Sequence, residues 1–386
     1  MIFSTAVAVV DGGEGVTGLT VSALLTALVG LTLFFGSQIS PTADSALAFA
    51  SVAWSWLAVS VAGALPFLLT GVIPWGQFDS ALFESISGFT CSGSTILSNF
   101  DAVPQGILFY RSMTQWLGGM GLVVLAVAVL PALGIGGLDL IASEAPGPTA
   151  DRLTLRVRDT ARQLWLLYGV MTGIVAMVLL TLGMSIFDAA THAFTTVSTG
   201  GFSPHAESIA YFDSFPIELV LMVGMLFSGA SFSIHWHALR QGVGAYRRVS
   251  EVRWYLSLIF GAFGILVWVN LEELGWLQNL RESLFYAVSL GSNTGFGNSD
   301  FVLWMPAAHL VILVLMLVGG MSGSTAGGMK VLRLQVVFKY SFRELMRARH
   351  PNSVIPIRLG RTTIEEQIAA KVVGFVMLYL GLIVVG

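Results

Sequence analysis

Three short glycine-centred segments recur along the chain, and each lies between a half-length amphipathic segment and a long apolar one. Irregular backbone at the depth of a membrane is tolerated only where it is buried in protein or lines a cavity. A membrane chain that repeats helix, half-length helix, glycine turn and helix therefore predicts a pore. The three segments read Thr90-Cys91-Ser92-Gly93-Ser94, Ser198-Thr199-Gly200-Gly201-Phe202 and Ser292-Asn293-Thr294-Gly295-Phe296.

Composition favours a membrane protein over a soluble enzyme. Of the 386 residues, 55% are hydrophobic and 11% are charged, and the mean hydropathy is +0.80. Soluble domains carry roughly twice that share of charge. We therefore expect an all-α polytopic membrane protein. No nucleophile, base, metal-ligand cluster or nucleotide-binding motif stands out, so we expect neither enzymatic activity nor a cofactor in this chain.

Apolar runs of about 20 residues, long enough to span a bilayer, alternate with shorter segments that cannot span it. The long runs are Leu19–Phe35, Ala46–Leu69, Gly106–Leu130, Leu164–Met184, Ile217–Ala238, Trp254–Val269, Val302–Val318 and Ile368–Val385. The short segments are Phe78–Thr90, Phe187–Val197 and Leu280–Leu290, which have the length of re-entrant helices. The predicted unit is helix, pore helix, filter strand and helix.

Repetition of this unit divides the chain. We predict an N-terminal membrane hairpin (1–45), three pore units (46–150, 151–250 and 251–361, the last with an intramembrane loop over 319–330) and the first helix of a fourth unit (362–386). The hairpin and the fourth unit look incomplete. The interval from first helix to glycine turn in unit one, applied from Thr363, places a fourth glycine beyond Gly386. We therefore expect a sequence truncated at its C-terminus and at its N-terminus.

Basic residues set the orientation. Of 19 Lys and Arg residues, 16 fall in three connecting segments that lie on one side by helix count. The positive-inside rule makes that side cytoplasmic and places the glycine turns near the outer face. We attribute most of these charges to topology alone. They are Arg152, Arg156, Arg158, Arg162, Arg240, Arg247, Arg248, Arg253, Lys330, Arg333, Lys339, Arg343, Arg347, Arg349, Arg358 and Arg361.

The glycine turns are candidate ion-binding segments. A cation that crosses a bilayer exchanges its hydration shell for oxygens, and backbone carbonyls supply them where glycine frees the backbone. The C-terminal ends of the pore helices add partial negative charge, and Asp101, Asp213 and Asp300 would concentrate cations at the outer mouth. Glycines that only pack helices, as we expect for Gly118, Gly119 and Gly121, are the alternative, and three matched turns disfavour it. The candidate filter residues are Cys91, Ser92, Gly93, Thr199, Gly200, Gly201, Asn293, Thr294 and Gly295.

A second glycine-rich stretch, Gly319 to Lys330, interrupts the helix after the third turn. Such a run holds a regular helix poorly, so we expect a loop inside the membrane and interpret it as a gate. A static helix break or a further ion site remains open. The candidate gate residues are Gly319, Gly320, Gly323, Ser324, Thr325, Gly327, Gly328 and Lys330. Glu84 and Glu282 lie within pore helices, and we expect them to anchor those helices by hydrogen bonds.

At these motifs the chain resembles the Trk/Ktr/HKT superfamily, and most closely its Trk-type potassium-uptake membrane subunit. The resemblance rests on Phe83 to Gly93, Ala193 to Ser203, Thr294-Gly295-Phe296, Gly319 to Val331 and His350-Pro351-Asn352 through Arg358. It departs from the family at Cys91, where threonine is usual, and in the fourth unit.

The resemblance implies potassium uptake across the cytoplasmic (inner) membrane, with potassium as the substrate. It also implies filter glycines at Gly93, Gly201, Gly295 and a fourth position, a gating loop over 319–330, a homodimer, and a cytoplasmic ring of nucleotide-binding regulatory subunits. A secondary cation transporter and a non-conducting truncated membrane protein are the alternatives.

Overall fold

A computed structural model describes most of the chain. The described residues are 1–36, 45–124, 150–271, 275–350, 353, 355–360 and 362–385. The predicted segment 125–130 of the run Gly106–Leu130, and Pro351, Asn352, Arg361 and Gly386, lie outside them.

The described residues are almost entirely helical, which confirms the predicted fold class. The helices are α1 (Ile2–Val10), α2 (Val16–Gly36), α3 (Ser45–Leu69), α4 (Phe78–Phe89), α5 (Gln105–Val124), α6 (Ala150–Thr181), α7 (Ile186–Val197), α8 (Phe215–Ser228), α9 (Phe232–Gln241), α10 (Gly244–Arg248), α11 (Ser250–Val269), α12 (Trp276–Gly291), α13 (Pro306–Val318), α14 (Val331–Arg349) and α15 (Glu366–Val385). One antiparallel hairpin joins β1 (Ile357–Leu359) to β2 (Thr362–Ile364), with Arg358 opposite Thr363.

Several helices are long and apolar enough to cross a bilayer. In the described part of the chain they are Val16–Gly36, Ala50–Leu69, Asp159–Thr181, Ser250–Val269 and Glu366–Val385, and the bent pair α8 and α9 is a sixth if it counts as one span. Their outer faces carry exposed apolar side chains, as a lipid-facing surface requires. Examples are Leu24, Phe34, Leu166 and Trp268.

Each glycine turn lies in the same structural setting. In the first unit α4 packs between α3 and α5, in the second α7 packs between α6 and α8, and in the third α12 packs between α11 and α13. Successive units also interlock, because α5 contacts the pore helix α7 and α8 contacts the pore helix α12. Each pore helix is thus held by the flanking helices of its own unit, and the second and third are also held by a helix of the unit before.

Two predicted spans are wrong. The run Ile217–Ala238 is not one helix, because it breaks at residues 229–231 and its halves meet at 95°. The backbone there is hydrogen-bonded to another segment: Met321 N donates to Gly229 O, and Phe232 N donates to Gly323 O. The run Val302–Val318 gives a helix of only 13 residues, which Pro306 begins and Gly319, at φ 73°, ends.

The third pore helix is longer than predicted. It begins at Trp276 rather than at Leu280, because the polar residues of its first turn are satisfied locally. Asn279 Nδ2 donates to Val267 O at 3.0 Å, and Gln278 Nε2 donates to Glu282 Oε1 at 2.7 Å.

The N-terminal helices pack against the first unit, and the C-terminal hairpin lies between the last two helices. An added Cβ on Gly18 would lie 2.6 Å from Leu69 O, so α2 and α3 approach backbone to backbone. Near the C-terminus a small core joins α14, the hairpin and α15 through Val336, Ile357, Ile364 and Ala369.

Candidate functional site

The three glycine turns share one backbone conformation. Each pore helix ends in a right-handed residue, at Thr90, Ser198 and Ser292. A non-glycine residue in the left-handed region follows, at φ 56° for Cys91, 53° for Thr199 and 55° for Asn293. Two residues later come the glycines, at φ 78° for Gly93, 76° for Gly201 and 87° for Gly295. Left-handed backbone is costly for residues with a Cβ, so its recurrence at the same place in all three segments indicates that they share one type of turn.

A helix-ending hydrogen bond closes each turn. It runs from Ser92 N to Ser87 O at 3.0 Å, from Gly200 N to Thr195 O at 2.9 Å and from Thr294 N to Ser289 O at 2.8 Å. This bond across five residues, with a left-handed residue inside it, is the Schellman arrangement that ends helices. The turn is therefore encoded within each pore helix and its next three residues.

Hydroxyl groups fix the chain after the turn in two of the units. Ser87 Oγ donates to Ser94 O at 2.5 Å, and Ser289 Oγ donates to Phe296 O at 2.7 Å. In the second unit Thr195 Oγ1 bonds carbonyls of its own helix instead. Support for the second turn comes from α5, as described below.

Neighbouring turns touch through their backbones. A Cβ added to Gly93 would lie 2.6 Å from Gly200 O, and one added to Gly201 would lie 2.0 Å from Thr294 O. The first turn therefore lies beside the second, and the second beside the third. A Cβ added to Gly295 meets no described atom within 4 Å. The structure thus brings together the backbones of Gly93, Gly200, Gly201 and Thr294.

The left-handed residues hold their side chains against the protein. The thiol of Cys91 donates a hydrogen bond to Gln115 O, and the Sγ and O atoms are 3.2 Å apart. Thr199 Oγ1 donates to Ser198 O at 2.6 Å, and Asn293 Nδ2 donates to Met316 O at 3.3 Å. Cys91 thus occupies the same place in its turn as Thr199 and Asn293 do in theirs.

A buried ion pair supports the first turn. Glu84 on α4 accepts from Arg111 Nε of α5 at 2.7 Å, and both side chains are almost fully buried. Glu84 also accepts from Thr95 Oγ1 and from Ile96 N, in the strand after the turn. The predicted anchoring role of Glu84 is confirmed. Its partner Arg111, which sequence reasoning missed, also lies with its guanidinium 4.0 Å from the ring centre of Phe202.

Gln115 supports the second turn, and sequence reasoning missed this residue too. One turn of α5 beyond Arg111, it is fully buried. Its Nε2 donates to Gly200 O at 2.8 Å, and its Oε1 accepts from Phe202 N at 3.1 Å. A Cβ on Gly200 would lie 2.3 Å from Gln115, so glycine is required there for the amide to approach. The only sequence feature that could have identified Arg111 and Gln115 is a guanidinium group and an amide one helical turn apart within a largely apolar run.

The predicted loop over 319–330 is present as an ordered, hydrogen-bonded segment. It closes on the end of α13, because Met329 N donates to Leu317 O and Lys330 N donates to Val318 O at 2.8 Å. Gly319, Gly323 and Gly328 have positive φ values. A Cβ added to Gly319 would lie 2.3 Å from Gly327 O, so the two ends of the loop are in contact.

Side chains tie this loop to the second unit. Thr325 Oγ1 lies 3.1 Å from Val197 O, at the end of the pore helix α7, and 3.2 Å from Ser228 O, at the break between α8 and α9. Ser324 Oγ donates to Met321 O within the loop. A Cβ on Gly320 would lie 2.6 Å from Gly229 O. The loop therefore fills the α8–α9 break.

The third turn touches the loop from the other side. An added Cβ on Gly327 would lie 3.3 Å from Asn293 Nδ2. At the end of the loop Lys330 Nζ donates to Ala326 O, and Ser322 N donates to Glu251 Oε1 of α11 at 2.7 Å. All eight candidate gate residues thus lie in one compact segment between the second and third units.

Other predicted residues have structural partners. Glu282 accepts from Gln278 of its own helix, so this bond does not anchor the pore helix to another element as predicted. Gly118 and Gly119 are packing glycines, because added Cβ atoms would lie 1.9 Å from Phe89 O and 2.9 Å from Ser198 Cβ. Asp213 pairs with Arg281 at 3.2 Å, which offsets part of the charge expected at the outer mouth. Within the described part of the chain, no group of three or more His, Cys, Asp or Glu residues is placed to hold a metal ion.

The chain is similar to known transport proteins over nearly its whole length. It matches the family TrkH, described as cation transport protein, over residues 19–262 and 273–386. The Trk system potassium uptake protein TrkH of Halomonas elongata is 41% identical over 337 residues, which cover 86% of this chain and 70% of that protein. The TrkH and TrkG proteins of Escherichia coli are 38% and 36% identical, each over 86% of this chain and 69% of the relative.

A solved structure has the same fold. The crystal structure of the potassium transporter TrkH from Vibrio parahaemolyticus superposes with a TM-score of 0.84 at 31% identity, over 100% of this chain and 85% of that one. These relatives are transporters rather than enzymes, and the apolar spans agree with a multi-pass membrane location. The chain therefore belongs to the TrkH family of cation transport proteins.

Proposed function

We propose that this protein takes up potassium through a pore lined by the carbonyl groups of its glycine turns. The observation that carries the proposal is the contact between successive turns, in which Gly93 meets Gly200 O and Gly201 meets Thr294 O. Matched carbonyl-bearing strands packed side by side are the arrangement by which proteins replace the hydration shell of a cation. The proposed ion-binding residues are Cys91, Ser92, Gly93, Thr199, Gly200, Gly201, Asn293, Thr294 and Gly295.

The electrostatics of the turns suit a cation that must bind weakly enough to leave. Three pore helices end at the turns, and their C-terminal carbonyls carry partial negative charge. The turns themselves hold no formal charge. The relatives, which are named as potassium uptake proteins, favour this function over a secondary cation transporter or a non-conducting protein.

We further propose that the loop over 319–330 gates the pore. Its support is that the middle of the loop is joined to elements distant in sequence by only a few hydrogen bonds in the described part of the chain, through Met321, Gly323, Thr325 and Ser322. The resemblance to the superfamily supports three further proposals: a homodimer, a cytoplasmic ring of nucleotide-binding regulatory subunits, and insertion in the cytoplasmic membrane with the basic segments inside. The 16 clustered basic residues favour that orientation.

Uptake by a potassium-requiring bacterium tests the proposal. We expect the protein to restore growth of a potassium-uptake-deficient strain at low potassium and to accumulate rubidium. Gly201→Ser is expected to weaken the preference for potassium over sodium, because its Cβ would lie 2.0 Å from Thr294 O.

Gly71→Ser is the matched control for the substitution in the turn. Gly71 also has φ 76°, but an added Cβ there meets nothing within 4 Å. Both variants carry the strain of a left-handed non-glycine residue, about 1–2 kcal/mol, and only the first disturbs the turns. Absence of rubidium uptake by the wild-type protein, or equal loss of selectivity in both variants, would contradict the proposal.

A further inference from the structure

A polar cavity of about 580 Å³ lies at the end of the third unit that is proposed to face the cytoplasm. Three separate elements line it: the first turns of α11, the middle of α14 and the hairpin strand β1. They bring Arg253, Lys339 and Arg358 to one concavity, with Trp254 and Gln335 between them. These residues are far apart in sequence, so a run of basic residues does not explain their convergence.

The three cations face the cavity without an anion. No acidic residue lines it, and within the described part of the chain neither guanidinium group has an ion-pair partner. Lys339 Nζ donates to the backbone oxygen of Arg358. Burial, and then the nearby charge of Arg253, lower the pKa of Lys339 below its ordinary value. A neighbouring like charge disfavours the charged form of each group, and a bound anion would offset that cost.

Two other basic residues of the same helix are neutralised. Arg343, one turn beyond Lys339, pairs with Glu344 and Glu366, and Arg347 is within 4 Å of the same two carboxylates. The orientation rule needs only positive charge on this side and is satisfied by paired arginines as well. What distinguishes the set around the cavity is that three basic side chains from separate elements converge there with no acidic residue among them, which leaves room for an anion.

The position of the cavity indicates where that anion comes from. Arg253 and Trp254 lie in the first turns of the spanning helix α11, the level of lipid headgroups and of interfacial aromatic residues. Along α14, Phe338, Phe342 and Leu345 are 60%, 57% and 68% exposed. Phe338 contacts Trp254 edge to face, with ring centres 5.5 Å apart. Apolar side chains beside a basic cavity suit an acyl chain beside a phosphate.

We propose that Arg253, Lys339 and Arg358 bind the phosphate of an anionic phospholipid headgroup in the cytoplasmic leaflet. The guanidinium groups are suited to bidentate contact with phosphate oxygens, and the exposed apolar residues of α14 contact the lipid tail. A lipid headgroup and a soluble phosphate compound present the same phosphate group to these side chains, so a soluble phosphate is the other source of such an anion. Lipid binding at this cavity does not depend on which ion the protein transports.

Lipid retention by the purified full-length protein tests the inference. We would measure by native mass spectrometry the phosphatidylglycerol and phosphatidylcholine bound after extraction from equimolar vesicles. The test variant is Arg253→Gln/Lys339→Gln/Arg358→Gln. The matched control is Arg247→Gln/Arg248→Gln/Arg349→Gln, which removes the same charge from exposed positions outside the cavity. Each basic residue near an anionic surface contributes about fivefold to binding, so the test variant is expected to lose about a hundredfold.

Each outcome of this experiment either supports or overturns the proposed lipid site. Preference for phosphatidylglycerol that is lost in the test variant and kept in the control supports the lipid site. Equal retention in both variants overturns it. Loss of the lipid upon addition of inorganic phosphate at unchanged ionic strength would assign the cavity to a soluble anion and overturn the lipid source. If the test variant does not fold, Arg253→Gln and Arg358→Gln, both at exposed positions, repeat the test singly with about fivefold effects.

Discussion

The glycine turns and the loop over 319–330 are both irregular, glycine-rich backbone at membrane depth, yet they are held in opposite ways. Each turn is closed by a hydrogen bond inside its own pore helix, such as that from Gly200 N to Thr195 O. The ends of the loop close on the flanking helix α13, but its middle is held by bonds to distant elements: Met321 N to Gly229 O, and Thr325 Oγ1 to Val197 O or Ser228 O. A locally closed structure persists when its neighbours shift, whereas a structure held from outside moves when a few contacts are lost.

This contrast suits the proposed roles. An ion-binding segment needs fixed carbonyl positions, because selectivity depends on oxygens that do not follow the ion. A gate needs two arrangements of similar free energy. Three substitutions separate the two regions experimentally.

The largest effect is expected at the ion pair below the first turn. Glu84→Gln leaves Arg111 as a buried, unpaired cation, and breaking a buried pair in this way costs about 3–5 kcal/mol. We expect a large fall in the melting temperature of the purified protein and loss of rubidium uptake.

Glu282→Gln is the control for that substitution. Glu282 also lies in a pore helix, but within the described part of the chain its side chain accepts a hydrogen bond from Gln278 of the same helix alone, so we expect a cost of about 1 kcal/mol or less. Equal destabilisation by both variants would show that the ion pair does not support the turn.

An intermediate effect is expected at Gln115. Gln115→Leu leaves Gly200 O and Phe202 N without their partner, and each buried unpaired group costs about 1–3 kcal/mol. Because the amide contacts the turn itself, we expect the ratio of rubidium to sodium uptake to fall. Gln278→Leu, at an exposed position of the third pore helix, is expected to leave this ratio unchanged. A selectivity ratio that survives Gln115→Leu would rule out outside support for the second turn.

The smallest effect on stability is expected in the loop. Thr325→Val removes the hydroxyl that joins the loop to α7 and to the α8–α9 break, and one such bond contributes about 0.5–1.5 kcal/mol. We expect basal rubidium uptake to rise severalfold with the selectivity ratio unchanged. Thr181→Val, which removes a similar hydroxyl bond at an exposed helix end, is expected to change neither. A fall in selectivity upon Thr325→Val would show that the loop and the turns do not have separate roles.

Local signals explain which parts of this structure could be predicted from sequence. The first two pore helices begin and end within one residue of the predicted bounds, because a half-length apolar segment that stops at a glycine turn is visible in a short window. The turns could be predicted for the same reason, because their closing hydrogen bonds span only five residues. The predicted division into units and the roles of the site residues follow this pattern and remain predictions.

Nonlocal contacts explain what could not be predicted. The break near Gly229 lies in a run without proline, and it forms where the loop supplies hydrogen bonds from about 90 residues away in sequence, a distance no local window covers. The roles of Arg111 and Gln115 could not be predicted from sequence for a similar reason. Within α5 they are polar residues in a largely apolar run, and only the packing of α5 against α4 and α7 gives them partners.

Main-chain contact between the turns has a consequence for how these proteins diverge. The spacing between the first and second turns, and between the second and third, is set by a glycine Cα against a carbonyl oxygen, and both atoms have covalently fixed dimensions. The residues that precede the three glycines differ, as Ser92, Gly200 and Thr294 show. Gly200 is constrained by Gln115, but substitution at the positions of Ser92 and Thr294 changes the chemistry around the turns while the separation of the turns is preserved, so the spacing of the turns and the chemistry beside the first and third can evolve independently.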